Sequence, residues 1–303
     1  MKEYSDFDPS ETPEQEKLTK QILDKIERPR GWRPSEGQEN NLEDNTPEEF
    51  AETHRAVTPK GSFVQGTPHL FDGTEETKNY FEKHLVPQVL DYVRKAVCMG
   101  KKVTFLAESD PRWTDEQLKG GSYGAGAEDD EQFQMARKLK DEFGDKVEVK
   151  FWDEYDGKPG SKVDREKVRK ETGISDLLVR TGLVIDKMGQ GEDLEGLRKD
   201  GDLTPEIEDY IEKEHGVSLQ EKKILSEEDR LKLYYIAFPK DVGESHSEPS
   251  PDTPYSAITT YFNYVRDRNL LEKIKRIEDA GGIAVITPGA SHAWELKGAI
   301  ELA

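Results

Sequence analysis

Two short apolar runs restrict what this chain can fold into. "KVTFLAE", residues 102–108, and "KVEVKFWDE", residues 146–154, each follow a stretch with helical periodicity. Ahead of the first, apolar residues recur at Tyr80, Phe81, Leu85, Val89, Tyr92, Val93 and Val97, and Gly100 stops the pattern. Pro87 lacks an N–H and should kink or divide that helix. Ahead of the second, "EDDEQFQMARKLKDEFG", residues 128–144, is amphipathic and closed by Gly144. A third run, Ile283 to Ile286, follows a long helix over 255–282 and gives way at once to another helix. Helices and strands in this alternation predict an α/β fold, with a mostly parallel sheet flanked by helices.

The rest of the chain reads as additions to that fold. Residues 163–236 carry helical patterns and no strand, which predicts a helical insertion or cap. Residues 239–254 form a polar Pro/Ser loop. Residues 1–60 are almost all polar. One short helix is predicted there, capped at Thr12 with Pro13 in its first turn. The remainder reads as an extended or disordered arm, with Trp32 as a residue that could pin it. The folded α/β domain is expected to start near Gly61 and run to residue 303.

Charge and cysteine content narrow the partners. With 44 Lys and Arg against 64 Asp and Glu, the formal charge is −20. Phosphate backbones and anionic membranes repel such a chain, so neither nucleic acid nor membrane is an expected partner. Cys98 is the one cysteine, which excludes an intramolecular disulfide and a cysteine-built zinc cluster. The N-terminal "MKEYSDFDPSETPEQEK" has no apolar core of a signal peptide, and no run of about 18 apolar residues occurs. A soluble cytoplasmic protein acting on a small-molecule or peptide substrate is the expectation. The oligomeric state is left open.

In open α/β sheets, ligands bind beyond the carboxyl ends of the strands. The first run delivers Glu108, Ser109 and Asp110 there, followed by Arg112. The second delivers Asp153, Glu154 and Asp156. The last delivers Ser291 and His292. If the strands are parallel neighbours, carboxylates and an imidazole meet on one rim. They could share acid–base work or hold a divalent metal, with Glu108, Asp110, Glu154 and His292 as candidate ligands. The plainer alternative is that polar residues open loops, and that His292 only begins a helix capped by Ser291.

No His-Glu-x-x-His, phosphate loop, dinucleotide fingerprint or Gly-x-Ser-x-Gly is present. "GGSYGAGAEDD", residues 120–130, reads as a mobile flap. "GTPHLFDG", residues 66–73, repeats the Gly-x-x-His spacing of 289–292, but with no strong strand before it a turn is predicted. "GESH", residues 243–246, reads as a loop tip. His54, His84 and His215 are expected at the surface.

The C-terminal "VRDRNLLEKIKRIEDAGGIAVITPGASHAWEL" carries an Arg-Asp pair at Arg266 and Asp267, a helix, a glycine break, an apolar strand, and Gly289-x-x-His292. This order resembles the Tiki/TraB superfamily, most closely its ChaN-like and erythromycin-esterase-like branches. That family has an Arg-Asp-x-x-Met helix, an early strand ending in Gly-Glu-x-His or Gly-x-x-His, and a later strand bearing a glutamate. Here Leu270 replaces the Met, Glu108 aligns with the motif glutamate, Ala107 replaces the glycine, and Asp110 stands at the first histidine. Glu154 supplies the second acid.

The resemblance implies an active rim of glutamates, histidine and arginine that hydrolyses ester or amide bonds. Glu108, Glu154, His292 and Arg266 would be catalytic, with Asp110, Asp267, Ser291 and Arg112 near the substrate. It also leaves open a non-catalytic binding protein on the same fold, or haem held by His292 or Tyr123.

Overall fold

The computed structural model describes residues 13–25, 30–31, 45–68, 75–108, 131–152, 170–189, 193–220, 222–237 and 253–302. In chain order its elements are α1 (Pro13–Leu23), α2 (Pro47–Thr53), β1 (Arg55–Val57), β2 (Phe63–Gln65), α3 (Glu75–Tyr80), a π-helical turn (Phe81–Leu85), α4 (Val86–Cys98), β3 (Val103–Ala107), α5 (Glu131–Phe143) and β4 (Val147–Phe151). Then come α6 (Asp176–Gly189), α7 (Leu194–Lys199), α8 (Pro205–His215), α9 (Glu227–Ala237), α10 (Pro254–Asp279), β5 (Ile283–Ile286) and α11 (Ala290–Leu302). The described helices include none long and apolar enough to cross a membrane.

The chain divides into two compact units, and the division falls inside α10, between Val265 and Arg266. One unit comprises residues 28–160 and 266–303. It holds a five-stranded sheet in the order β1-β2-β5-β3-β4. Only β1 runs antiparallel; β2, β5, β3 and β4 are parallel. This is the α/β architecture with a mostly parallel sheet that the apolar runs predict.

The burial pattern follows position in the sheet. β5 and β3 have neighbours on both sides and helices on both faces, so every residue of "IAVI" and "VTFLA" is buried. β4 is an edge strand. Val147 is buried, while Glu148 and Lys150 are exposed and blunt the edge. Side chains alternate between two apolar layers. Val103, Phe105, Ala107, Ile283 and Val285 join residues of α2, α4 and α5 on one face. Leu106, Trp152, Ala284 and Ile286 join Leu270 and Ile274 of α10 and Ala293, Leu296 and Ile300 of α11 on the other.

Pro87 divides its helix as expected. It lies in the first turn of α4, directly after the π-helical turn. The start of the folded region differs from the expectation. Order in this unit reaches back before Gly61, because Thr46 caps α2 and Glu49 reaches back to the Thr46 backbone. β1 then pairs with β2, Arg55 opposite Gln65. His54 is also not a surface residue. Its ring is fully buried against Phe50, with centroids 4.2 Å apart, and Nδ1 donates to the Phe50 carbonyl at 2.9 Å.

The other unit comprises residues 1–27 and 161–265 and is helical wherever it is described. α6 packs on α8 and α9 through a face that includes Val184, Ile185 and Met188. Asp193 caps α7 by accepting from the N–H groups of Glu195 and Gly196. Arg198 ties Glu208 to the carbonyls of Leu219 and Lys222. α1 begins at Pro13 as predicted, and Gln21 donates to the Thr172 carbonyl at 3.0 Å. His215 is another departure from the expected surface position. It is half-buried, and its Nε2 lies 2.8 Å from the Tyr255 hydroxyl.

α11 is seated by a close backbone crossing. A Cβ on Gly298 would stand 2.2 Å from the Gly31 carbonyl oxygen. In an ordinary helix interior, Gly→Ala stabilises by about 1 kcal/mol. Here the sign should reverse, because the methyl forces residues 30–31 off the helix. Gly298→Ala is expected to destabilise this unit by about 1–3 kcal/mol in urea unfolding; a gain in stability would contradict the crossing.

Candidate functional site

The four parallel strands put their carboxyl ends on one edge of the sheet. β3 runs directly into Glu108 and β4 into Trp152, and the Trp152 N–H donates to the Ala107 carbonyl at 2.9 Å. Alternation then decides direction. Ala107 and Phe151 belong to the α4/α5 face. The next residues, Glu108 and Trp152, turn to the α10/α11 face, where Trp152 joins the second core.

α10 meets this edge through two adjacent rows of side chains. Arg266, Asn269 and Lys273 are spaced i, i+3, i+7 along one face. The Arg266 guanidinium pairs with the Glu108 carboxylate and lies 4.9 Å over the Trp152 ring. Asn269 donates to the Trp152 carbonyl, and Lys273 to the Phe151 carbonyl at 2.7 Å. The neighbouring row, Asp267, Leu270 and Ile274, turns into the core. From α5, the Gln132 carbonyl oxygen accepts from the Glu108 N–H at 2.7 Å.

α11 brings the imidazole. His292 Nδ1 donates to Asp267 Oδ1 at 2.8 Å; the His292 side chain is 12% exposed and that of Asp267 is 1% exposed. A carboxylate on Nδ1 sets the tautomer and leaves the lone pair on Nε2. The Trp152 ring closes the other side, its centroid 5.9 Å from the His292 ring, edge to face.

Burial opposes a charge on His292. The Asp267 carboxylate more than offsets this, through charge and hydrogen bond; Arg266 opposes the charge and Glu108 favours it, and the net pKa lies above the usual histidine value.

Trp152 has one unanswered group. The residue is fully buried, yet its indole N–H has no hydrogen-bond partner among the described residues. Such a donor costs about 1–3 kcal/mol relative to a satisfied one.

Of the residues named from the sequence, Glu108, Arg266, Asp267 and His292 come together. Asp267, read as near the substrate, is the direct partner of His292. Asp110, Arg112 and Glu154 lie outside the described residues, as do residues 120–130 and 243–246. Ser291 falls inside the first turn of α11 rather than before it, and its side chain is outside the description.

The candidate metal set changes. Among the described residues, Asp267, His292 and Glu295 hold ligand atoms within 4.8 Å of one another. Two carboxylates and an imidazole suit a divalent ion of the manganese-to-zinc type. Trp152, Gln132, Asn269 and Glu295 were missed by the sequence reading. Alternation along β4, which sets Trp152 on the face opposite Val147, Val149 and Phe151, is the signal that marks Trp152.

One further difference concerns Gly66. A strand does precede it: β2 ends at Gln65, parallel to β5. Thr67 bridges Gly289, donating to the Pro288 carbonyl and accepting from the Ala290 N–H. Position 66 lies close against α11, where a Cβ would be 2.8 Å from that of Ala293 and 2.7 Å from that of His54. His69 lies outside the described residues.

The chain matches no family model, no curated protein and no solved structure.

The His292–Asp267 pair has a signed pH dependence. A raised folded-state pKa means that the stability from protonating His292 is fully present below the unfolded value of about 6.5 and is lost as pH rises through the folded value. The melting-temperature gap between the wild type and His292→Gln should be larger at about pH 6 than at about pH 9. A gap that widens with pH would contradict the pairing.

Proposed function

We propose that the chain is a hydrolase of ester or amide bonds in a small-molecule or peptide substrate, with His292 as its general base. The observation that carries this is a buried Asp267 on Nδ1 of an imidazole whose Nε2 meets no partner among the described residues, one helical position from Arg266.

In this reading, Nε2 takes a proton from water as the water oxygen attacks the substrate carbonyl. Asp267 stabilises the imidazolium that forms and keeps the ring oriented. The Arg266 guanidinium stabilises the developing oxyanion, and Glu108 positions Arg266. The imidazolium then returns its proton to the departing alcohol or amine. If Asp267, His292 and Glu295 hold a divalent ion, it would supply Lewis acidity at the carbonyl. Loss of activity on chelation, restored by metal, separates that version from the metal-free one. The acidic surface argues against nucleic acid as substrate. A single cysteine suits the cytoplasm.

The resemblance to the Tiki/TraB superfamily supports the same reading, with one addition. Besides Ala107 to Asp110, β2 followed by Gly66 to His69 offers a second match to the family's early strand ending in Gly-x-x-His. On that basis His69 joins His292 as a candidate site residue, and Glu154 remains the candidate second acid.

A panel of activated esters and peptide amides tests the proposal. His292→Ala should lower kcat by about 10³-fold or more, and Arg266→Lys by roughly 10²-fold. The kcat/KM profile should rise with pH through a pKa above the ordinary histidine value, because the base acts unprotonated and its pKa is raised. Full activity in His292→Ala would end the proposal.

A further inference from the structure

We propose that the indole N–H of Trp152 is a ligand-binding donor, taking the neutral carbonyl oxygen of an ester or amide. The identity of that carbonyl rests on the hydrolase reading; the donor itself rests on the geometry. Every other part of Trp152 is engaged. Its backbone N–H goes to Ala107 and its carbonyl accepts from Asn269. One ring face carries Arg266, and the ring packs against His292. The residue is fully buried, and Nε1 alone among its polar atoms has no partner among the described residues. An unpartnered buried donor, on a ring that touches both Arg266 and His292, is a binding group that the described residues leave unused.

The charges around it select the kind of oxygen. Arg266 is paired with Glu108, and His292 with Asp267. Glu295 places a further carboxylate by that second pair. Both cations of the cluster thus already have a carboxylate partner, and neither is held open for an incoming anion. The indole N–H is itself an uncharged donor. A neutral acceptor can be held there without desolvating a further charge, whereas a carboxylate would have to be desolvated beside those of Glu108 and Asp267. Glu108, with a side chain one-third exposed, marks the open side of the cluster.

The test is an NMR titration of the full-length chain labelled at its tryptophan indoles. Four indole signals are expected, from Trp32, Trp113, Trp152 and Trp294. Trp152→Phe identifies its signal by loss. If that variant does not fold, the Trp→Phe variants at positions 32, 113 and 294 identify it by elimination. N-methylacetamide is the neutral carbonyl probe and acetate the anionic one, each taken to roughly 100 mM, a range suited to fragments this small.

The expected result is a saturable shift of the Trp152 signal with N-methylacetamide and none with acetate. A stationary signal would overturn the proposal. Equal shifts with acetate would overturn the selectivity for a neutral oxygen. On any substrate the panel identifies, Trp152→Phe should raise KM about 5-fold with kcat little changed. A moving signal without turnover would remove the hydrolase and keep the donor. Turnover with a stationary signal and unchanged KM would do the reverse.

Discussion

Side-chain alternation at the ends of β3 and β4 decides which residues gather at the candidate site. Both strands turn successive residues to opposite faces of the sheet, and both end on residues that face the same two helices. Glu108 and Trp152 therefore meet α10 and α11 rather than α4 and α5. A shift of one residue in either strand would send that strand's residue into the other core. The Arg266–Glu108 pair, the ring contacts of Trp152 and the His292–Asp267 hydrogen bond all depend on that register, which the continuous pairing from Val103–Val147 to Ala107–Phe151 sets.

The pairing of charges bears on how the cluster can be folded at all. An isolated Asp267, with a side chain 1% exposed, would be costly to bury. His292 answers it directly, and the same contact leaves the lone pair on Nε2. Stability and the proposed function thus draw on one hydrogen bond. The guanidinium of Arg266 is held by two different forces, the Glu108 carboxylate and the face of Trp152. A cation over an indole adds about 0.5–2 kcal/mol, which helps to fix the guanidinium plane.

Much of this was legible in the chain. The apolar runs ending at Ala107, Phe151 and Ile286 are long enough to show as strands, and Pro87 marks a helix break by its missing N–H. β1 and β2 were not legible, because three residues are too few to display a period. They are strands by virtue of long-range partners, β2 pairing with β5 more than 200 positions away. The Thr46-Pro47-Glu48-Glu49 capping box was a readable signal that order starts before Gly61. His54 looked polar in its local context, and long-range packing by Trp294 and Gly66, beside Phe50, encloses it. Glu108, Arg266 and His292 were found as polar residues at strand and helix ends. Trp152 was passed over because an aromatic residue at a strand end reads as core, and it is core, apart from one N–H.

The seating of α11 has a mechanical meaning. The helix is approached at Ala293 by Gly66 and at Gly298 by Gly31. At about 1.5 Å per residue these two notches are only about 7.5 Å apart along the axis. Gly31 meets backbone at Gly298 and Gly66 meets the methyl of Ala293, so neither notch has a long side chain to take up a slip. The helix therefore behaves as a bolt held by two detents, and sliding it would drive Cβ or carbonyl atoms together. His292 lies one residue before the first detent. Its place along the sheet edge is thus fixed by the main chain, and Asp267 has only to settle the rotation of the ring.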